Sequence, residues 1–336
     1  MGAFNVFLKK NLMIDIDFFR KIFNSYLVKK LSTKDPLSLY EPISYIMELG
    51  GKRLRPILTL ISTDVFGGNY EEALDVALAI EVFHNFSLVH DDIMDSAPIR
   101  RGEKTVHKKW NINTGILSGD VMLINSYQYL ENYEPDLFKQ LLKVFSKTAI
   151  EVCEGQQYDM DFESCDHVTI SDYLKMIKYK TAVLVAAAMK MGAIVARASE
   201  KSQTAIYDYG INLGIAFQLQ DDYLDAFGDP KNFGKQVGGD IIENKKTYLY
   251  LKALELATSE DRNELKNLFS IRPTDPQEKI QTVKEIFVNS GAAEETRNQI
   301  KNYTQLAFEI LDEIEVPQDK KRIIREFGTK LMNREV

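Results

Sequence analysis

Two groups of three aspartates are the residues of this chain whose types and spacing most clearly indicate chemistry. They share the pattern D-D-x-x-D and lie 130 residues apart: Asp91, Asp92, Asp95, Asp221, Asp222 and Asp225. On a helix, positions i, i+1 and i+4 project from one side, so each trio can direct its carboxylates to a common point. Hard divalent cations such as Mg²⁺ prefer such oxygen ligands and often share them with a substrate phosphate. The trios therefore predict Mg²⁺ sites, and solvated acidic helix ends are the alternative.

Each trio follows a long apolar segment that must position it. Residues 70–89 are apolar on nearly every face and contain no Gly or Pro, which predicts a buried helix. Pro98 cannot continue that helix, so we expect it to end near Asp95 or Ser96. The segment 206–224 has the same character and is followed by Gly228. Carboxylates at a helix C-terminus oppose the helix dipole by about 0.3–1 kcal/mol each, and a bound cation would compensate for this.

Helical periodicity dominates the rest of the chain. We predict helices near residues 14–31, 41–49, 54–66, 70–95, 114–131, 136–161, 171–191, 203–226, 242–256, 260–269, 276–289, 291–313 and 318–332. The breaks between them are short, and none resembles a linker between domains. The prediction is one all-α domain over residues 1–336, a large helical bundle with the two aspartate-bearing helices around one central cavity.

Composition narrows the class of protein. The 336 residues are 45% apolar and carry a net charge of −7, which argues against non-specific binding of nucleic acid. Cys153 and Cys165 lack metal-binding spacing and are expected to be reduced thiols. The chain has no signal-peptide core and no uninterrupted apolar run of about 18 residues, so we expect a soluble cytoplasmic protein without a membrane span. P-loop and G-x-G-x-x-G patterns are absent, as is a nucleophile triad.

Basic residues in or beside the breaks could bind the anionic part of a substrate. They occur in GGKRLRP, in RRG after the first trio, in IKYKTAVL and in FGKQVGGDIIENKK. Any one of them alone has the ordinary interpretation of a surface cation. Together with the trios they predict a cavity for two polyphosphate groups, one bound through Mg²⁺ and the other bound directly by Arg and Lys. His84 lies seven residues before Asp91 on about the same helix face, as either a ligand or a core residue.

Six ordered motifs resemble one known family. GGKRLRP, HDDIMD with RRG, GQQYD, KT, FQLQDDYLD and GKQVGGDIIENKK are similar to the motifs of the trans-isoprenyl diphosphate synthases, or polyprenyl synthetases, over about residues 40–250. The resemblance implies an all-α isoprenoid-synthase fold, a homodimer and three Mg²⁺ per active site. It also implies head-to-tail condensation of isopentenyl diphosphate with allylic diphosphates, beginning with dimethylallyl diphosphate.

The resemblance also implies roles for individual residues. The Mg²⁺ ligands would be Asp91, Asp95 and Asp221, with Asp92, Asp222 and Asp225 in support. The allylic diphosphate would contact Arg100, Lys180, Thr181, Gln218, Lys235 and Lys245. Isopentenyl diphosphate would be bound by Gly51, Lys52, Arg55, His84 and Arg101. The catalytic group would comprise Asp91, Asp92, Asp95, Lys180, Asp221, Asp222 and Lys235. Gln156 and Asp159 match the GQ..D pair of the family, and the choice between Lys245 and Lys246 stays open because the preceding loop is one residue longer than in many relatives.

Residues just before the first trio are candidates for setting product length. An isoprene unit is about as long as one helical turn, ~5 Å, so side chains one or two turns before Asp91 are expected to meet the product tail. Phe86, Ser87 and Phe83 lie five, four and eight residues before Asp91, and simple core packing of the phenylalanines is the alternative. In the family, a bulky aromatic followed by a small residue here is typical of C20 synthases, and two aromatics are typical of C15 synthases. We expect geranylgeranyl diphosphate (C20) as product, with farnesyl diphosphate (C15) as the alternative.

Two other functions fit parts of the pattern. A non-catalytic partner subunit would have lost part of a trio or some of the cations, and this chain retains all of them. A terpene cyclase could share a helical cavity and an aspartate motif, but GGKRLRP and RRG favour a site for isopentenyl diphosphate.

Overall fold

The structure is a computed structural model that describes residues 16–31, 34–165, 167–229 and 238–332. The described chain is helical almost throughout, which confirms the all-α class. It divides into two compact units: unit one is Met1–Ser146 with Ala187–Gln203, and unit two is Lys147–Ala186 with Thr204–Val336, each within the described residues. The single domain and the one central cavity stay predictions.

Unit one is built around a helix that carries the first trio. Its elements are α1 (Ile16–Lys30), α2 (Leu37–Glu48), α3 (Leu54–Val65), a 3₁₀ turn (Tyr70–Ala73), α4 (Leu74–Met94), β1 (Ile99–Arg100), β2 (Glu103–Lys104), α5 (Val106–Lys109), α6 (Ile112–Leu130) and the first part of α7 (Pro135–Ser164). Helix α4 packs against α1, α2, α3, α5 and α6. It is buried along most of its length and ends at Met94 with Asp95 as its C-cap, which confirms the predicted end of this helix.

Unit two contains the helix that carries the second trio. Its elements are the rest of α7, α8 (Ile170–Ile177), a π-helical turn (Lys178–Ala182), the start of α9 (Val183–Val195), α10 (Glu200–Phe227) from Thr204 onward, α11 (Gly239–Ile242), α12 (Tyr248–Leu256), α13 (Ser259–Leu268), α14 (Gln277–Asn289), α15 (Ala292–Glu313) and α16 (Gln318–Met332). The rest of α9 and the first residues of α10 belong to unit one. The apolar side chains of α10 from Ile206 to Leu219 are largely buried, and the trio occupies its last two turns.

Two predicted helix starts are wrong. The helix expected over 242–256 begins only at Tyr248, because Asn244 has a φ of 63° and so interrupts the helical backbone after α11. Helix α2 begins at Leu37 instead of residue 41, and Pro42 lies inside its first two turns.

The segment Tyr70–Met94 is long and apolar enough to cross a membrane by length and composition. However, 67% of its most apolar window is buried within the protein, as expected for the core helix of unit one. The cytoplasmic location stays a prediction.

Candidate active site

In the first trio, Asp92 is buried and bound by an arginine. Its side chain is 2% exposed, and Arg100 Nε lies 2.9 and 2.8 Å from its two carboxylate oxygens. Arg100 Nη2 lies 2.7 Å from Asp92 Oδ1 and 3.6 Å from Asp91 Oδ2. Burial raises the pKa of Asp92, and its hydrogen bonds with Arg100 oppose that shift. Asp92 therefore holds Arg100 beside Asp91, and the guanidinium of Arg100 balances the carboxylate charge at the C-terminus of α4.

The RRG motif forms a tight hairpin, which the sequence analysis did not foresee. Strand β1 pairs with β2 in antiparallel register, with Arg100 opposite Glu103. The two loop residues, Arg101 and Gly102, have φ values of 55° and 82°, as in a type I′ turn. The hairpin sends consecutive arginines to different partners, because Arg100 binds Asp92 while Arg101 Nη1 donates to the Gly50 carbonyl. The glycine after RR was the available signal for this turn.

Gly51 is required where Arg101 meets the GGKRLRP turn. Its φ is +123°, and a Cβ added there would lie 3.0 Å from Arg101 Cζ. A larger residue would therefore strain the backbone and displace the guanidinium. Lys52 is exposed on the same turn.

Arg55 and His84 belong to the same cluster of basic residues as Arg101, because the charges of both arginines act on His84. Arg55 Nη1 lies 3.2 Å from His84 Nε2, and since arginine only donates, Nε2 accepts and the neutral ring carries its proton on Nδ1. Burial, followed by the charges of Arg55 and Arg101, keeps the pKa of His84 well below its usual value. At neutral pH the arginines carry the charge of this cluster, and His84 is a neutral hydrogen-bonding group.

Arg53, grouped by sequence with the other cations of GGKRLRP, is instead paired with a buried glutamate. Its side chain is 4% exposed, and Nη1 lies 2.5 Å from Oε1 of Glu81, which is itself buried. Arg53 adopts a φ of 51° just before α3 and also donates to the Met47 carbonyl. The buried ion pair thus fixes the turn that presents Lys52 and Arg55. A lone glutamate within the apolar α4 was the signal that could have revealed it.

In the second trio, Asp222 is the buried member. Tyr173 Oη donates to Asp222 Oδ2, and Gln218 Nε2 donates to Oδ1 over 2.8 Å. Thr181 Oγ1 in turn donates to Gln218 Oε1 over 3.0 Å. Burial raises the pKa of Asp222 to about 7, although the hydrogen bonds from Tyr173 and Gln218 oppose the shift. The predicted residues Thr181, Gln218 and Asp222 therefore belong to one hydrogen-bonded chain, which Tyr173, absent from the predictions, completes.

Asp225 connects α10 to the turn that carries the basic residues. Its Oδ2 accepts from the Asp240 amide over 2.9 Å, and its carbonyl accepts from the Gly238 amide over 2.6 Å. These bonds fix the N-terminus of α11 relative to the end of the trio-bearing helix.

Lys245 and Lys246 have different partners. Lys245 Nζ lies 3.2 Å from Glu243 Oε2 and 3.8 Å from Asp240 Oδ1. Burial opposes its charge, but Asp240 and Glu243 outweigh burial and raise the pKa of Lys245. Lys246 Nζ donates to the carbonyls of Phe162 over 2.7 Å and Cys165 over 2.5 Å at the end of α7. Lys246 therefore serves as a helix cap, which favours Lys245 as the substrate ligand; Lys235 lies outside the described residues.

A pocket lies within unit two and brings several predicted residues together. Its lining includes Lys180, Thr181, Gln218, Asp222, Lys245, Asp159, Tyr173, Asp240, Asn244, Lys246 and Thr247. Lys180 Nζ lies 2.5 Å from Asp159 Oδ2, the aspartate of GQQYD. Ammonium, hydroxyl and amide donors thus line the pocket together with carboxylates, an arrangement that suits a phosphate group bound together with cations.

A π-helical turn presents Lys180 and Thr181 to this pocket. It spans Lys178–Ala182, between α8 and α9, and such turns recur at functional sites. Gly155 of GQQYD packs directly against it, and a Cβ there would lie 2.2 Å from the Lys180 amide nitrogen. The absence of a side chain at residue 155 therefore allows the close backbone contact.

The candidate chain-length residues lie one and two turns before the first trio. Phe83 is 1% exposed, with ring centroids 5.5 Å from Phe86 and 5.3 Å from Phe145, so it belongs to the core. Phe86 is 8% exposed and packs edge-on against His90 at 4.8 Å. Ser87 is partly buried and donates to the His84 carbonyl over 2.8 Å. Phe86 is therefore the nearer bulky side chain to Asp91.

The donor chemistry of the trios fits Mg²⁺. Within the described ranges, no three His, Cys, Asp or Glu side chains converge closely enough to form a metal site by themselves. Mg²⁺ keeps several waters and commonly takes one or two carboxylates together with substrate phosphates, which is the donor set that these aspartates could supply.

Comparison with known proteins identifies the family. The family model for polyprenyl synthetase matches residues 36–287, so the chain belongs to the polyprenyl synthetase family and is a prenyltransferase. This confirms the resemblance seen in the sequence and the short-chain prenyl condensation predicted from it. Enzymes of this family generally depend on Mg²⁺ and use isopentenyl and allylic diphosphates. The roles of individual residues stay predictions.

Particular relatives are similar over nearly the whole chain. A short chain isoprenyl diphosphate synthase of Methanothermobacter thermautotrophicus is 40% identical over 288 residues, 85% of this chain and 88% of that protein. A geranylgeranyl pyrophosphate synthase of Geoglobus acetivorans is 37% identical over 298 residues, 87% of this chain and 91% of that protein. A solved structure of a geranylgeranyl pyrophosphate synthase is 53% identical, with a TM-score of 0.93 over 96% of this chain and 100% of that one.

Proposed function

We propose that the protein makes geranylgeranyl diphosphate by successive head-to-tail addition of isopentenyl diphosphate to dimethylallyl, geranyl and farnesyl diphosphates. The convergence of Lys180, Thr181, Gln218 and Lys245 with Asp222 on one pocket carries the proposal, because it provides donors for a departing diphosphate. The C20 product is supported by the 53% identity to a geranylgeranyl pyrophosphate synthase.

In the first step, the C1–O bond of the allylic substrate breaks and the diphosphate leaves with the electron pair. Lys180 and Lys245 would stabilise the charge that develops on the leaving oxygens, with hydroxyl and amide donation from Thr181 and Gln218. Arg100, held by Asp92 beside Asp91, would contact the same substrate. We further propose Asp91, Asp95 and Asp221 as ligands of Mg²⁺, with three ions per active site. When bound, Mg²⁺ would supply additional positive charge to the leaving group.

In the second step, the double bond of isopentenyl diphosphate attacks the allylic C1, and a proton leaves to the released diphosphate. Lys52, Arg55 and Arg101 would bind the diphosphate of this substrate, and neutral His84 would orient Arg55 through its Nε2. No side-chain nucleophile is needed.

Phe86 is proposed to limit product length. Phe86→Ala is expected to yield products longer than C20, because removing the ring opens space one turn before Asp91. Ser87→Phe is expected to shift the product toward C15. Product length would be measured by mass spectrometry after incubation with dimethylallyl and isopentenyl diphosphates. Phe86→Ala enzyme with normal activity and an unchanged product would reject Phe86 as the limit.

We also propose that the protein is a homodimer. Helix α6 exposes apolar residues on one side, with Ile116, Leu117 and Ile124 exposed by 41%, 58% and 58%. The family resemblance implies that a second copy of the chain covers this exposed side of α6. Sedimentation velocity is expected to give a dimer for the wild type and a monomer for the double variant Leu117→Glu/Ile124→Glu. Val288→Glu, at an exposed apolar residue of α14, is the matched control; a wild-type monomer would contradict the proposal.

Turnover of labelled isopentenyl diphosphate with dimethylallyl diphosphate and Mg²⁺ tests the function. A C20 product is expected. A C15 product would keep the class of reaction and reassign the product. Absence of condensation with C5, C10 and C15 allylic starters would overturn the proposed function and favour a partner subunit.

A further inference from the structure

Helix α14 contacts the basic turn that lines the pocket of unit two, although it contributes none of the predicted site residues. The turn comprises residues 243–247, of which Asn244, Lys245, Lys246 and Thr247 line the pocket. Just before it, Gly238 packs against α14, since a Cβ there would lie 3.0 Å from Ile280 Cγ2. Lys279, the neighbour of Ile280, is 2% exposed and therefore almost completely buried.

The ammonium group of Lys279 is bound to the turn and to the loop before α14. Nζ lies 2.5 Å from Asn244 Oδ1 and 3.0 Å from the Ile271 carbonyl. Asn244 Nδ2 also donates to the Ile271 carbonyl over 3.3 Å. The amide of Asn244 is thus held at both ends, by a buried cation and by a backbone carbonyl.

Asn244 needs such support because of its backbone. Its φ of 63° lies in the left-handed region, which asparagine tolerates but which is less favourable than the right-handed region. The next two residues point to different partners: Lys245 to Asp240 and Glu243, and Lys246 to carbonyls at the end of α7. A right-handed conformation at residue 244 would redirect both lysines.

We propose that Lys279 is a positioning residue that clamps Asn244 in the left-handed conformation and so directs Lys245 into the pocket. Lys279 itself does not line the pocket, and its effect is transmitted through Asn244. The proposal rests on the proposed function in that Lys245 is taken as a ligand of the allylic diphosphate.

Lys279→Met tests the clamp, because methionine keeps the length of the buried stem and removes the ammonium. The KM for the allylic diphosphate is expected to rise about tenfold, while the KM for isopentenyl diphosphate stays unchanged. Lys321→Met is the matched control: Lys321 is also buried, but it donates to the Asp312 carbonyl over 2.6 Å and does not line the pocket. It is expected to lower stability without changing either KM.

Asn244→Gly provides a second test of the clamp, because glycine accepts the left-handed conformation but lacks the side-chain amide that Lys279 binds. If Lys279 acts through Asn244, Lys279→Met in the Asn244→Gly background is expected to raise the allylic KM no further. Lys279→Arg, which keeps a buried cation, is expected to restore part of the loss. Additive effects, or an equal rise of both KM values, would overturn the clamp.

Hydrogen exchange separates the clamp from the function. The amides of residues 239–247 are expected to exchange faster in Lys279→Met than in the wild type and in Lys321→Met. If the wild type fails to condense its substrates but this difference is present, the proposed function falls and the clamp stands. If the wild type condenses them and Lys279→Met changes neither the exchange nor the allylic KM, the clamp falls and the function stands.

Discussion

Replacement of Asp221 by asparagine is expected to lower kcat for condensation by about 10³-fold. Asparagine keeps the shape of the side chain but removes the negative charge that would bind Mg²⁺, and metal stabilisation of a leaving group is worth several kcal/mol, with each 1.36 kcal/mol equal to a factor of ten. Initial rates at saturating substrates over a range of Mg²⁺ concentrations measure the effect. The Mg²⁺ concentration needed for the half-maximal rate is expected to be higher for the variant than for the wild type.

Asp208→Asn is the control for this experiment. Asp208 is exposed and lies on the same helix, α10, thirteen residues before Asp221. It carries the same charge and is not part of the trio, so its replacement is expected to leave kcat within about twofold of the wild type. Equal activities of Asp221→Asn and the wild type at limiting Mg²⁺ would remove Asp221 from the proposed metal ligands.

Gly155→Ala is expected to lower kcat/KM for the allylic diphosphate by about 100-fold. A Cβ at residue 155 would lie 2.2 Å from the Lys180 amide nitrogen and 2.6 Å from the Tyr179 carbonyl carbon. Backbone atoms cannot rotate away as a side chain can, so the π-helical turn must move and take Lys180 and Thr181 with it. A displacement of about 1 Å of a binding group can cost a factor of 10² in rate.

The same variant is expected to lose stability, because overpacking costs about 1–3 kcal/mol. Steady-state kinetics and thermal unfolding measure the two effects. Glu154→Ala, at the adjacent exposed position of α7, introduces alanine without meeting the turn and is expected to change neither. Normal allylic kinetics in Gly155→Ala would show that the π-helical turn does not position Lys180 for this substrate.

The fold class and the ends of the two aspartate-bearing helices could be predicted because their signals are local. Apolar residues on nearly every face of 70–89 and 206–224 indicated burial, and Pro98 and Gly228 marked the ends. The start of α12 could not be predicted in this way. Residues 242–247 have no helix-breaking proline, and the left-handed Asn244 is held by Lys279, which is 35 residues away in the chain.

In the candidate site, too, some features could be predicted from the sequence and others depended on the tertiary structure. The order of six motifs along the chain was sufficient to predict the family and the reaction class, because such motifs are recognised directly from residue types and spacing. Packing decided which group each side chain meets: Arg100 binds Asp92, Tyr173 binds Asp222 across 49 residues, and Lys246 caps α7 while Lys245 faces carboxylates. Hydrogen-bond partners and burial depend on where separate helices meet in space, and no periodicity within one helix contains that information.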